Sequence, residues 1–319
     1  MPLPTARDVH VDMALTDFSI AYRQEMPAYA DRIFPRMTVT KQSDKYFVWD
    51  KADMWRRNIT KKRAAGTAFE RGGVRLSTDS YYCEEYPLEY PIDDRVRRNS
   101  DAAVDLENFG ARWLVEQINL EKDYQWATDF MTTSSGWTAG TALSNGKWSV
   151  SATATPITDV TGWVRQLKRG LGSSRQHRIV GVCGSIVEKA LISNAQIRNS
   201  KIYVAEGTVE AIRASLAAVL GLDELIIFDR EYNTAAEGKA ASYSPIVDDD
   251  FLVVAVPRTL GLEVPSAGIT FEWDDGKGPM YIEQYRDEPI ASDILRGVCH
   301  FDHKLTGADL GVFLDDVTD

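Results

Sequence analysis

The residues that come nearest to a metal-ligand set are Cys299, His300 and His303, near the carboxyl end of the chain. Thiolates and imidazoles bind zinc where they converge. Side chains alternate between the two faces of a strand, so positions 300 and 303 point apart, which favours surface or interface histidines. The acidic runs Asp248–Asp250 and Asp274–Asp275 carry the carboxylates that hold calcium or magnesium. Consecutive carboxylates before a strand are more typical of a solvated loop, so we predict no metal site.

Sequence patterns for nucleotide or acyl chemistry are weak. The sequence contains no G-x-x-x-x-G-K-[ST] phosphate loop and no G-x-S-x-G elbow. The glycines of 170–172 close a helical pattern rather than open one. Gly184-Ser185 lacks the second glycine of a nucleophile turn, which favours Ser185 as a helix cap. We therefore predict neither catalysis nor a cofactor. A soluble α/β enzyme or sugar-binding module, with Asp248–Asp250 near its site, is the weaker alternative.

The composition is that of an acidic protein with enough apolar content for a core. The chain has 319 residues, of which 44% are hydrophobic and 26% charged, and its formal net charge is −11. This charge argues against a main role in gripping nucleic-acid phosphates. We expect no membrane span and no secretory signal, because no apolar run approaches about 18 residues. The three widely spaced cysteines are predicted to be reduced thiols of a cytosolic product.

The elements that would organise such a chain begin with one long helix, predicted over Ala103–Met131. Its apolar residues recur at spacings of three, four or seven, which is one stripe of an α-helix. These are Leu106, Phe109, Trp113, Leu120, Tyr124, Ala127 and Met131. Charged residues that include Lys122 and Asp123 are assigned to the solvent side. A helix of roughly 30 residues is about 45 Å long, so it must lie along something extended.

The segment before this helix, 36–95, is predicted to extend away from the body of the protein and return to it. We call it the excursion, with the stretch 51–75 as its basic limb and the stretch 76–94 as its acidic limb. Strand-like alternation ends at Tyr46–Trp49, and a basic stretch with few acids follows over 51–75. A second strand-like stretch, 76–94, is acidic, and its Pro87 and Pro91 argue against a central place in a sheet. A loop this long is unusual unless it has a task. We interpret it as an arm that lies across an adjacent subunit, with a solvated hairpin as the alternative.

The other segments have simpler predictions. Residues 1–35 form a polar arm with too little apolar surface to pack on itself. Thr132–Thr155 has loop composition. Its two large side chains, Trp137 and Trp148, are expected to be buried by contact with a neighbouring subunit. Strands separated by helices over 158–262 predict a mixed α/β sheet, and they include a helix over Ser185–Ser193 and a continuously apolar strand over Phe251–Val256. Further strands follow, and Gly307–Val312 is predicted to be a short tail.

This order of parts resembles the major capsid proteins of tailed bacteriophages, the family with the HK97 fold. The resemblance implies an α+β fold, and it lies in the layout of nearly the whole chain rather than in signature residues. The implied divisions are an N-terminal arm (1–35), an extended loop (36–95), a peripheral domain with the spine helix (96–157), an axial domain (158–262) and a return to the peripheral domain (263–319).

The resemblance also implies a function. The chain would self-assemble into pentamers and hexamers of an icosahedral virion shell, built in the host cytoplasm around double-stranded DNA without sequence-specific binding. Its partners would be other copies of itself, a portal and a decoration protein. A separate scaffolding protein is expected, because only about 35 residues precede the first predicted strand. An encapsulin-like compartment that encloses an enzyme is the main alternative.

The residues that we assign to contact between subunits are aromatic or charged and lie in the excursion. They are Phe47, Trp49, Trp55, Arg56, Arg57, Lys61, Lys62, Arg63, Phe69, Arg71, Arg75, Tyr81, Glu84 and Glu85. Opposite charges on the two limbs would set the register of the arm on its neighbour.

Overall fold

The computed structural model describes most of the chain. The described residues are 28–48, 57, 62–63, 65–66, 69, 71, 77–100, 106–139, 143, 146–149, 153–171, 176–200, 209–261 and 264–318. The first 27 residues of the predicted arm therefore lie outside the described residues. Within the described residues, no helix combines the length and apolar character that a membrane crossing requires.

The chain has the α+β composition expected from the sequence. The strands are β1 Arg36–Val39, β2 Ser43–Val48, β3 Ser77–Tyr82, β4 Glu84–Asp93, β5 Thr138–Ala139, β6 His177–Gly184, β7 Glu224–Phe228, β8 Glu231–Asn233, β9 Tyr243–Pro245, β10 Phe251–Pro257, β11 Gly268–Trp273, β12 Met280–Asp287, β13 Ser292–Leu305 and β14 Gly311–Leu314. The helices are α1 Ala30–Ile33, α2 Asp94–Asn99, α3 Leu106–Phe130, α4 Pro156–Leu171, α5 Ser185–Ser193, α6 Ala195–Ser200 and α7 Val209–Leu220.

The first sheet is built around β13, its longest strand. β12 pairs antiparallel with one side of β13, while β11 and β4 pair with successive parts of it, and β1 adds in parallel to β11. Pro87 and Pro91 lie in β4, which pairs with β13 alone among the described strands. Proline has no N–H to donate, so an edge position suits both residues.

The spine helix α3 runs over 25 residues, about 38 Å, and packs on this sheet. Its buried face differs from the predicted stripe. Phe109 and Tyr124 are 40% and 37% exposed, whereas Lys122 and Asp123 are buried. Gly110 also faces the sheet, where a Cβ atom would lie 2.6 Å from the Tyr90 ring. The prediction was wrong because the ion pairs that bury these two charges come from segments distant in sequence.

The second sheet has the strand order β5-β14-β10-β6-β7. All seven residues of β10 are buried, which agrees with the continuous apolar run that predicted this strand. α5 has the bounds expected from sequence, Ser185–Ser193. The chain end differs from its prediction, because Gly311–Leu314 pairs with β10 as a strand of this sheet instead of forming a tail. Its apolar residues Val312 and Phe313 are buried there.

Trp137 and Trp148 are covered by their own chain, contrary to the expectation that a neighbour covers them. Trp137 is buried against Phe34 and Phe130, and its indole N–H donates to the Phe130 carbonyl at 3.0 Å. The indole N–H of Trp148 donates to Asp159 at 3.2 Å. Both indoles therefore belong to the main core cluster, which also contains residues of the arm, the spine helix and the second sheet.

Candidate assembly interface

The candidate interface is the hairpin formed by β2 and β3. These strands pair with each other from Ser43 opposite Tyr82 to Val48 opposite Ser77, and they form a two-stranded sheet of their own. Most of their residues are exposed. A two-stranded ribbon that buries so little is only marginally stable in water. The hairpin therefore depends on contacts at its base and leaves most of its surface free to contact another molecule.

The base of the hairpin is held by aromatic packing inside the subunit. The Tyr81 ring stacks on Phe271 with centroids 4.3 Å apart, and the Tyr46 ring lies 5.4 Å from the same residue. The buried thiol of Cys83 adjoins this cluster. Tyr81 was assigned to contact between subunits, but its ring is already buried within its own chain. The cause is strand alternation, which turns Tyr46 and Tyr81 inward and leaves Phe47 52% exposed.

The basic limb of the excursion lies exposed where it is described. Arg57, Lys62, Arg63, Phe69 and Arg71 are all exposed, and the Phe69 side chain is 76% exposed. The Arg63 guanidinium lies 4.1 Å from the centroid of the Phe69 ring, a cation–π contact. The remaining predicted contact residues of this limb lie outside the described residues. They are Trp49, Trp55, Arg56, Lys61 and Arg75.

The acidic limb divides into a paired part and an open part. Arg296 contacts Glu89 at 2.7 Å and holds the pKa of that carboxyl below its usual value. Arg286 contacts Asp94 in the same way, also at 2.7 Å. Glu84 and Glu85, at the start of β4, are exposed and have no salt bridge within the described residues. The open part therefore lies next to the base of the hairpin.

A second structural element lies at the end of the predicted arm, where α1 docks on the spine helix. Lys122 contacts Asp31 at 2.7 Å and Glu272 at 2.6 Å. A hydrogen bond also joins α1 to the spine helix, because the Ala30 N–H donates to the Asp123 carboxylate at 2.9 Å. Beside these contacts, the side chains of Ile33 and Phe34 are almost completely buried in the core. Sequence reasoning missed this cluster, since helical periodicity carries no information about partners about 90 to 150 residues away.

The residues first considered for metal chemistry serve packing. Nδ1 of His303 lies 2.9 Å from the Thr270 hydroxyl, and His300 packs edge-on against Trp273. Burial raises the pKa of the Cys299 thiol to about 11. The described part of the chain brings no three His, Cys, Asp or Glu side chains into a group that could hold a metal ion.

The serine of the weak nucleophile pattern is not a helix cap. Gly184 occupies the cap position of α5, and Ser185 is the first helical residue. A Cβ atom at Gly184 would lie 2.2 Å from the Val247 carbonyl oxygen. Close approach of the backbone of the 247–248 segment therefore requires glycine here, and the prediction of Ser185 as cap was wrong.

The chain was compared with known proteins by sequence and by structure. No protein-family model and no curated protein matches the sequence. A phage-related protein from Bordetella bronchiseptica RB50 has a TM-score of 0.69 at 17% identity, covering 96% of this chain and 97% of that chain. The mature capsid of bacteriophage PhiM1 has a TM-score of 0.55 at 13% identity, covering 91% and 87%.

The holo-SrpI encapsulin complex from Synechococcus elongatus PCC 7942 is also similar. Its TM-score is 0.54 at 12% identity, and it covers 97% of this chain and 96% of that chain. These likenesses extend over most of the chain. The chain has the HK97-like fold that it shares with these phage capsid and encapsulin structures.

Proposed function

We propose that this chain is the major capsid protein of a tailed phage and forms pentamers and hexamers of an icosahedral shell around double-stranded DNA. The observation that carries the proposal is the projecting β2–β3 hairpin, which leaves Phe47 and the described basic residues exposed. A monomer gains little from such a ribbon. A shell subunit gains a contact with its neighbour. The similarity in fold to phage capsid structures supports the same conclusion.

The proposed mechanism is geometric and requires no catalysis. Each subunit offers two different surfaces, the hairpin and the body, so contacts run head to tail around a ring and close it. Apolar side chains buried on a neighbour would contribute about 25 cal/mol per Å² of buried apolar area. Many such contacts together stabilise the shell, although no single one is strong.

The charge of the subunit fits a container for nucleic acid. A formal net charge of −11 limits adhesion to DNA, so the cargo would be enclosed rather than bound to the wall. The encapsulin alternative has support from the similar fold of the encapsulin complex. The two functions differ in what the particle contains, DNA or an enzyme. A portal, a scaffolding protein and a decoration protein are the further partners that the capsid proposal implies.

Expression of the full chain followed by negative-stain electron microscopy tests the proposal. We expect closed particles hundreds of ångströms across. In lysates of the producing phage, DNA that resists nuclease should co-sediment with them. Particles filled with an enzyme and free of DNA would favour the encapsulin alternative. A chain that stays monomeric at all concentrations would contradict a shell function.

A further inference from the structure

A cleft of about 280 Å³ lies where the hairpin base, the end of the spine helix and β13 meet. Its wall is formed by polar and aromatic side chains from these three elements and from the start of β4. They include Tyr86, Glu84, Asp129, Asp302, His303 and Lys304. The cleft thus joins the open part of the acidic limb to the body of the subunit.

The charge in the cleft is unbalanced. Glu84, Asp129 and Asp302 contribute three carboxylates, and Lys304 contributes one ammonium group. Lys304 lies 3.2 Å from Asp302, which also accepts the Tyr82 N–H at 2.9 Å. Asp302 is therefore satisfied within the subunit. Glu84 and Asp129 are left without a cation in contact among the described residues.

Asp129 occupies a position that is unfavourable for a carboxylate in an isolated subunit. It lies in the last turn of the spine helix, where the helix dipole disfavours negative charge and where this helix has no basic residue. The residue is exposed, but partial desolvation of its carboxyl raises the pKa, and the attraction of Lys304 opposes this rise. A cation in the cleft would remove both penalties.

Among the described residues, His303 brings a buried polar atom without a hydrogen-bond partner to the wall of the cleft. Its side chain is buried, and its Nδ1 pairs with the Thr270 hydroxyl. Its Nε2 has no hydrogen-bond partner within the described residues, although buried polar atoms are nearly always paired. The neighbouring Tyr86 ring stacks on Phe301 with centroids 4.4 Å apart, which gives the cleft an aromatic wall.

We propose that this cleft receives an arginine side chain from segment 51–75 of a second copy of the chain. This inference rests on the proposed shell function and names the partner surface for the hairpin. The segment contains eight lysines and arginines and only two acids, Asp53 and Glu70. Arginine suits the cleft better than lysine, because its planar guanidinium can pair with a carboxylate and stack on an aromatic ring at once.

The direction of the hairpin indicates that the arginine comes from another copy. The cleft adjoins Tyr82, at the base of the hairpin, whereas segment 51–75 connects Val48 and Ser77 at its far end. Five residues of strand separate these ends, about 17 Å. Segment 51–75 therefore starts and ends at the end of the hairpin that lies away from its own cleft, which favours the cleft of another copy.

Peptide binding tests the inference without requiring shells. In the full chain carrying Arg57→Glu, Arg63→Glu and Arg71→Glu, segment 51–75 has five basic and five acidic residues, so it competes weakly for the clefts. A fluorescent peptide with the sequence of residues 51–75 should bind this variant at low salt. Adding Asp129→Lys should weaken the binding about tenfold or more. The matched control Glu288→Lys, an exposed carboxylate near the opposite end of β13, should leave the affinity unchanged.

The outcomes separate this inference from the proposed function. Equal affinities for the Asp129→Lys and Glu288→Lys proteins would overturn the cleft assignment, even if the wild-type chain forms particles. A peptide in which every arginine is replaced by lysine should bind more weakly. If it binds equally well, the assignment of arginine is wrong.

A mixing experiment tests whether the contact joins two copies. The Asp129→Lys chain and the chain with three arginines changed to glutamate should each assemble poorly. Mixed in equal amounts, they should recover hexamers, because two chains that alternate around a six-membered ring place wild-type segments on wild-type clefts and reversed segments on reversed clefts. Rescue only when all four substitutions lie in one chain would show an intrachain contact and overturn the proposal.

Discussion

Asp123 of the spine helix and Arg230, which follows β7, form an ion pair of 2.7 Å whose side chains are 0% and 2% exposed. The same carboxylate accepts the Ala30 N–H at 2.9 Å. One buried charge thus connects the end of the arm, the spine helix and the segment that follows β7 of the second sheet. These three segments are distant in sequence, and each contributes one partner to this contact.

Removal of one member of this pair should destabilise the chain strongly. Asp123→Ala leaves the Arg230 guanidinium buried without its counter-charge, which typically costs about 3–5 kcal/mol. Urea unfolding monitored by tryptophan fluorescence measures the change. The double variant Asp123→Leu with Arg230→Met should lose much less, because it leaves no unpaired buried charge. Equal losses in the two variants would show that the pairing of the charges is not what matters here.

The docking of the arm end can be tested through Gly268. A Cβ atom at this position would lie 2.3 Å from Cζ of Phe34, the buried ring next to α1. Gly268→Ala should therefore displace that ring and destabilise the fold by about 1–3 kcal/mol, as overpacking does. The control is Gly162→Ala, which faces open space on α4 and should stabilise by roughly 0.5–1 kcal/mol. Similar melting temperatures for the two variants would contradict this packing.

Stability should depend on pH through Asp250, where β10 meets the end of the chain. Burial, with a hydrogen bond to Asp315, raises the pKa of Asp250 from 3.8 to about 7. The folded state therefore holds this proton more tightly than the unfolded state. Its contribution to stability is complete below about pH 4 and is lost as pH rises through 7. The melting temperature of the wild type should fall from pH 6 to pH 8 relative to that of Asp250→Asn. Parallel curves would contradict the raised pKa.

Two aromatic residues of the hairpin should have opposite roles. Tyr81→Ala removes a ring stacked on Phe271 inside the subunit and should cost about 3–5 kcal/mol of stability. Phe47→Ala removes an exposed ring and should leave the unfolding free energy of the subunit nearly unchanged while reducing particle yield. Thermal melts and particle counts on the same samples measure both effects. A destabilised Phe47→Ala subunit would contradict its assignment to contact between subunits.

Elements with strong local signals could be predicted from the sequence. α5 and β10 are examples, because an uninterrupted apolar run or a complete helical repeat marks their bounds. The buried face of the spine helix could not. Lys122 and Asp123 read as solvent-facing charges, and only Asp31, Glu272 and Arg230, far away in sequence, explain their burial.

The candidate site shows the same limit. Charge patterning indicated an exposed basic limb and an acidic limb. Both limbs have exposed side chains among their described residues. The pattern did not reveal that Arg286 and Arg296 neutralise the far end of the acidic limb. It also did not reveal that Tyr81 packs inward, since strand alternation alone does not say which face of a hairpin meets the body. Contacts between subunits stay a prediction.

Sedimentation velocity of a chain whose residues 49–76 are replaced by a two-residue Asn-Gly turn tests the central claim most directly. The turn suits the ends of β2 and β3, so the subunit should keep its fold, as circular dichroism can verify. We predict that the full chain sediments as large closed particles and the shortened chain as a folded subunit or small oligomer. Particles of the same size from the shortened chain would contradict assembly through the hairpin.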